Sequence, residues 1–430
     1  MADPQESLVD IVKKNKFTAK SDDEIVELFK NAFKTELNHL KNASPTVESG
    51  ATKKWNGTPS QKVFGDDYHE VNRTLTSMLA IKWVLTGDYK TFTSGQDTGK
   101  LSEKSFVKMQ EFFRDRLPTP EDVYALIVAL MIDDIGKDKA LAENVEIPEE
   151  NHGEVLLKAV EKGLVPALEA ITDQAKKQNI IQSLTIGSKL DISQIVQGET
   201  VPHSMLALND SRNLHDAFNI KAMVTLLDVG GAAAHSDPRG CIVMTQPIFD
   251  HYMKAIELLD EYRRKENPGW PECYNKYLAY RADILKDNGF ALLSTKDSEE
   301  RALLRLLCMG RVETKSKAEQ FQRAFSDLPS STKTALVEGM SVNGIDDGTA
   351  ILPYYAPGIL SEVLRDVPDE RTIPYLIAFM KFLTGVYDGS KPEPGEPGAL
   401  KERDLAPMQG LVKSPEFKKN PEILAKATLE

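Results

Sequence analysis

Cysteine is scarce in this chain of 430 residues: Cys241, Cys273 and Cys308 stand far apart and without Cys-x-x-Cys spacing. A disulfide framework and a thiolate zinc site are therefore not expected, and a reducing compartment is. Long apolar runs are missing too, since no stretch approaches the roughly 18 residues of a membrane span. The opening Met-Ala-Asp-Pro-Gln-Glu-Ser has neither a basic nor an apolar leader segment, so a cytoplasmic protein without a membrane partner is expected. Positive charge is in deficit. A net charge of -12 argues against a nucleic-acid backbone as partner and leaves a small molecule held in a local pocket. Gly-x-Gly-x-x-Gly, Walker-type and Gly-x-Ser-x-Gly loops are absent, which removes local support for nucleotide-cofactor and serine-hydrolase chemistry. Alternating strand patterns are nearly absent as well, with residues 180–186 and 240–245 the only short candidates.

What the chain does have is helical periodicity, and a mainly α fold is expected. Four segments are read from composition: an N-terminal helical preamble over 1–60, ending in a polar stretch up to Trp55; a helical core over 61–265; a C-terminal helical region over 266–387; and a Pro/Gly-rich linker with a loosely packed or strap-like tail over 388–430. Residues 165–177 read as one helix, and Asp67 with Glu70 has capping-box spacing before the next. The length also allows a homo-oligomer.

The most informative stretch runs from Thr119 to Asp138. Thr119 is a good N-cap, Pro120 suits the first helical position, and Val123, Leu126, Ile127, Leu130 and Met131 form a core-facing stripe. One further step along that stripe lands on Asp134, while Asp133 continues from Leu126 and Leu130. Both acids lean inward at the negative end of a helix, before Gly136 as the expected C-cap. A charge buried there costs several kcal/mol, roughly, unless a cation is present, either a metal ion or a firmly held Lys or Arg. Other singular residues recur along the chain: His69 opens a helix with Asn72 or Arg73 on its face, His152 opens another, His203 sits in a Pro-His-Ser turn, and Asp228 ends an apolar run before glycine.

In this order the residues resemble the HD-domain superfamily of metal-dependent phosphohydrolases over about residues 65 to 260. Asp133-Asp134-Ile135-Gly136-Lys137 resembles the central His-Asp-Ile-Gly-Lys motif, with Asp133 where the family has histidine. The resemblance implies an HD-like helical core with additional helices at both ends. It also implies His69, Asp134 and Asp228 as metal ligands, His152 as a further ligand, Asp133 and His203 as a second-metal or catalytic set, and Lys137 for substrate charge. Carboxylate in place of imidazole favours magnesium or manganese, with iron the precedent of related oxygenases. The implied function is divalent-metal-dependent chemistry on a small phosphorylated or anionic molecule.

Two alternatives stand beside it. Asp133, Asp134 and Asp138 resemble the Asp-Asp-x-x-x-Asp motif of class I terpene synthases, which implies a magnesium-dependent prenyl-diphosphate cyclase, although the downstream Asn/Ser/Glu triplet of those enzymes is not found. The other is a degenerate HD-fold protein that binds a ligand or partner without metal. The stretch Gly344–Gly358, rich in glycine, proline and tyrosine, reads as a loop able to line a pocket.

Overall fold

The computed structural model describes residues 6–44, 57–147, 151–211, 215–389 and 398–429. The polar stretch around Trp55 and most of the Pro/Gly-rich linker lie outside the described residues. The protein is mainly α, and among the described residues no helix is long and apolar enough to cross a membrane. The chain divides into two units, residues 1–189 with 210–253 and residues 190–209 with 254–430. These units group the composition-based segments differently, with 254–265 and the 388–430 tail counted in the second unit. The N-terminal helices are packed parts of the first unit, and residues 190–209 are given to the second.

In the first unit the helices His69–Thr86, Pro120–Ile132 and His215–Gly231 pack on one another, with Gln174–Gly187 against the last. Pro120–Ile132 starts as its sequence requires. Asp122 N–H donates to Thr119 Oγ1 at 3.2 Å and Thr119 N–H to Asp122 Oδ2 at 3.1 Å, a capping box with proline at the first turn. Ala125 through Ile132 are all buried, so this helix is enclosed rather than one-sided.

Several local expectations are corrected. Residues 180–186 belong to the Gln174–Gly187 helix, and residues 240–245 form turns. The expected helix over 165–177 breaks at Ile171–Asp173, because Asp173 Oδ1 accepts from Ala175 N–H and Lys176 N–H and starts a new helix. Asp67 and Glu70 do not form a capping box. Asp67 accepts instead from Thr58, Gln61 and Asn72, and Glu70 N–H donates to Ser44 Oγ at 3.0 Å.

The second unit holds the only strands among the described residues. Thr349–Tyr354, within the stretch read as a loop, pairs in parallel with Ala399–Asp404, in register from Thr349 opposite Ala399 to Tyr354 opposite Asp404. A parallel pair needs a long crossover, and the helices Ala356–Leu364 and Thr372–Val386 lie within it. The tail is packed rather than loose: Leu405, Val412, Phe417 and Leu424 are buried. Lys418 Nζ donates to the carbonyls of Glu362 (3.1 Å) and Arg365 (2.8 Å), where the Ala356–Leu364 helix ends.

Two buried ionisable side chains organise this unit. Arg305 donates from Nη1 to Met340 O at 2.7 Å, from Nε to Gly198 O at 3.1 Å and from Nη2 to Thr200 O at 3.1 Å. It thereby satisfies carbonyls at the end of the Ser330–Ser341 helix and in the turn after Ile192–Val196. In that turn, Glu199 Oε1 accepts from Tyr355 N–H at 2.6 Å, at the start of the Ala356–Leu364 helix. Burial pushes the Glu199 carboxyl well above the ordinary glutamate range, and the nearby Asp191 and Glu402 add to that, against the Tyr355 N–H and Arg305.

A raised folded-state pKa makes the stabilising contribution of Glu199 complete below its unfolded value and lost as pH rises through the folded one. Glu199→Gln keeps an acceptor for Tyr355 and removes the titration. The difference in melting temperature between variant and wild type is expected near zero in acid and to grow in favour of the variant as pH rises. A difference that stays flat across pH would show that this carboxyl ionises at its ordinary value.

Candidate functional site

The inward lean of Asp133 and Asp134 follows from where the helix stops. The Pro120–Ile132 helix ends at Ile132, Asp133 is its C-cap, and a 3₁₀ turn covers Ile135–Lys137. Gly136 is thus not the C-cap. It serves for close approach: a Cβ there would lie 2.0 Å from the His152 carbonyl oxygen. Gly231, at the end of the helix that carries Asp228, works the same way against His69–Thr86, where a Cβ would lie 2.1 Å from Ser77 Oγ and 2.6 Å from Arg73 O. Two glycines therefore let the helix bearing His152 and the helix bearing Asp228 close on the acids.

The cation that two buried acids require is supplied by the chain itself. Arg73, one turn after His69 on the same helix face, grips Asp228 with a forked contact, Nε to Oδ1 at 2.7 Å and Nη2 to Oδ2. Its Nε is also 3.9 Å from Asp134 Oδ2. Lys137 Nζ lies 2.9 Å from Asp134 Oδ1 and donates to Glu70 Oε2 at 3.1 Å. His69 Nδ1–H donates to Glu70 Oε1 at 3.3 Å, and the His69 ring rests against that of His235 with centroids 3.8 Å apart. Lys221 Nζ lies 3.7 Å from Asp133 Oδ1. Gly187 leaves room for this lysine, since a Cβ there would be 3.0 Å from Nζ.

Electrostatics in this cluster separates the two neighbouring aspartates. Burial acts to raise both. For Asp134, Lys137 and then Arg73 and His152 outweigh it and hold the carboxyl well below the usual range. For Asp133, burial with Asp134 and Asp228 outweighs the more distant Lys221 and a weaker effect of Lys137, and the carboxyl is pushed up to about 6. Burial likewise opposes charge on Glu70, but the His69 hydrogen bond and the neighbouring cations leave it lowered. On the cationic side, Asp134 chiefly holds the proton on Lys137 more tightly than usual. Burial, with the neighbouring His69, lowers His235. The cluster is recessed yet reachable: the side chains of Arg73, Lys137 and Asp228 keep 23, 26 and 22 % of their surface accessible.

Of the residues picked out in the sequence, His69, Asp134, Lys137 and Asp228 are brought together, with Asp133 beside them. His152 lies close enough to act electrostatically on Asp134. His203 belongs to the second unit, where its Nδ1–H donates to Gly344 O at 2.6 Å and its backbone N–H to Asn343 O at 3.0 Å. The cluster is built without it. Asp138 caps the Lys139–Val145 helix through Ala140 N–H and binds His39 Nδ1 (2.7 Å) and Asn42 Nδ2 (3.1 Å). The three acids of Asp-Asp-x-x-x-Asp therefore do not share one helix. Glu70, Lys221 and His235 were not singled out as site residues. Lys221 had a legible signal, a lysine seven residues before Asp228 on an apolar helix, hence on the same face.

A divalent metal does not fit the donor set as it stands. Asp228 and Asp134 spend their oxygens on Arg73 and Lys137, and among the described residues no three carboxylate, imidazole or thiolate donors come together in a way that could hold a metal ion.

A family model described as a family of unknown function, DUF6829, matches residues 26–424, and the chain belongs to that family. No curated protein and no solved structure matches it.

The close approaches are directly testable. Gly136→Ala and Gly231→Ala each force backbone apart at the cluster and are expected to cost about 1–3 kcal/mol in urea denaturation. An unchanged midpoint for both would show that the helices are not held at the distances described.

Proposed function

We propose that the first unit is an HD-like helical core whose pocket binds a small anionic molecule, phosphorylated or carboxylated, without a resident divalent metal. The observation that carries this reading is the forked contact of Arg73 with Asp228 beside Asp134. A guanidinium already supplies the positive charge that the two carboxylates need. Its Nη1 makes no hydrogen bond to the described residues, and the side chain stays partly accessible. An anionic oxygen meeting Arg73 Nη1 and Lys137 Nζ would form charge-assisted hydrogen bonds of the stronger kind. Asp133, pushed up to about 6, would provide a group able to hold or pass a proton near neutral pH. Divalent-metal phosphohydrolysis, the activity the HD resemblance implies, would require Arg73 to yield Asp228 to magnesium or manganese.

Thermal-shift measurements with inorganic phosphate, pyrophosphate and a panel of phosphorylated and carboxylated metabolites separate the two readings. A stabilisation that persists in EDTA and is lost in Lys137→Gln is expected. At a ligand concentration of 100 times Kd it amounts to about 2.7 kcal/mol. Stabilisation that appears only with magnesium or manganese would favour the metal-dependent hydrolase, and none from any anion would end the anion-pocket reading.

A further inference from the structure

In the second unit two guanidiniums meet at one carbonyl with no acid between them. Arg301 and Arg305 share one face of the Ser298–Met309 helix. Their Nη1 groups both donate to Met340 O, at 3.2 and 2.7 Å, which sets the two charges side by side. The residues are 8 and 1 % exposed, and no described carboxylate lies within 4.0 Å of either guanidinium. Asp347 reaches Arg301 only through Asn343, whose Oδ1 accepts from Nη2 at 3.2 Å while its Nδ2 donates to Asp347 Oδ2 at 3.1 Å. Glu199, the acid near Arg305, is pushed toward its neutral form. Carbonyl and amide oxygens here satisfy hydrogen bonds but not charge, and burial with the neighbouring Arg305 pushes the Arg301 guanidinium down to about 10.

Donors are also in surplus. Each Nη1 carries a second N–H beyond the one given to Met340 O, and Arg301 Nη2 a second beyond the one given to Asn343. The Tyr274 ring centroid lies 5.5 Å from the Arg301 guanidinium and 5.8 Å from that of Arg305. Its hydroxyl, fully buried, has no hydrogen-bond partner among the described residues. Both arginines act on that hydroxyl electrostatically, yet they can only donate, so its proton finds no acceptor in them. Buried polar groups of native proteins are otherwise met by protein, water or an ion.

We propose that the second unit encloses a site for a small monoanion of the halide class, held by Arg301, Arg305 and the Tyr274 hydroxyl. Of the two positive charges, Asp347 offsets one through Asn343, which leaves a single charge for the ion to balance. An ion that only accepts suits a set of groups that only donate, whereas a water molecule would have to place two protons of its own. The site shares no residue with the first-unit cluster and does not depend on the function proposed for it.

The test uses the full-length protein, dialysed free of chloride into sodium gluconate. Its melting temperature is followed as sodium chloride or bromide replaces gluconate at constant ionic strength, in wild type, Tyr274→Phe, Arg301→Gln and Lys137→Gln. Crystals grown in bromide and measured at its absorption edge locate the ion. The melting temperature of wild type is expected to climb by a constant step for each tenfold rise in halide above Kd. The halide affinity is expected to fall at least ~10-fold in Tyr274→Phe, which loses one hydrogen bond to a charged group. Tyr274→Phe removes a single hydroxyl and remains usable if Arg301→Gln does not fold. Lys137→Gln, which disables only the first-unit pocket, is expected to keep the full response. An anomalous peak within hydrogen-bond reach of Arg301 and Arg305 completes the expected result. Equal melting temperatures in gluconate, chloride and bromide would overturn the proposal, as would a crystal with water and no anomalous peak at this place. A halide response retained in full by Tyr274→Phe and Arg301→Gln would put the ion elsewhere and overturn it as well.

Discussion

The first unit depends on one ionic contact, the fork of Arg73 on Asp228 with Asp134 alongside. Asp134 sits at the end of an enclosed apolar helix and Asp228 near the end of another. Each is at the negative pole of its helix, where a carboxylate is least welcome. Without a cation in reach, neither helix could end at this depth with its acid charged. Lys137 completes the arrangement by bridging Asp134 and Glu70, so that three acids and two bases from three chain segments form one connected network. In such a network the Coulomb gain and the desolvation cost are both large, and the loss of any one partner leaves the others buried and uncompensated.

Geometry permits the network because side chains are absent at the right places. Gly136 admits the His152 carbonyl, Gly231 admits the Arg73 backbone, and Gly187 admits the Lys221 ammonium. Two adjacent aspartates then come to differ. Asp134 has Lys137 at 2.9 Å and stays ionised, while Asp133 has Lys221 at 3.7 Å and its carboxyl rises to about 6. Groups of one chemical type pushed in opposite directions within one cluster are what proton-transfer sites are built from. The second unit meets the same problem differently, since Arg305 is solvated by backbone carbonyls and burial pushes the Glu199 carboxyl toward its neutral form.

How much of this was legible in the sequence varies with the range of the interaction. The Thr119 cap, the apolar stripe and the inward lean of Asp134 are local, and they were readable from spacing alone. The need for a cation at Asp134 was also readable, but not its identity. Lys137, three residues away, was visible, whereas Arg73 was seen only as a possible neighbour of His69, because its pairing with Asp228 spans 155 residues. The Ile180–Ile186 run resembled a strand because β-branched residues crowd it, and tertiary packing made it helix. The pairing of Thr349–Tyr354 with Ala399–Asp404 joins segments separated by helices, so no local pattern announces it. His203 shows the opposite failure: its place in the sequence order suggested the cluster, and its ring serves a turn at Gly344.

The most direct test of the network is a double-mutant cycle on the pair that anchors it, with Arg73→Met, Asp228→Asn and the double variant compared with wild type by equilibrium denaturation. The account predicts that the single changes are each costly and that the double variant recovers much of the loss, with a coupling of about 2 kcal/mol or more. Additivity within about 0.5 kcal/mol would mean that Arg73 and Asp228 do not act on each other, and the central ionic contact would then carry no part of the structure.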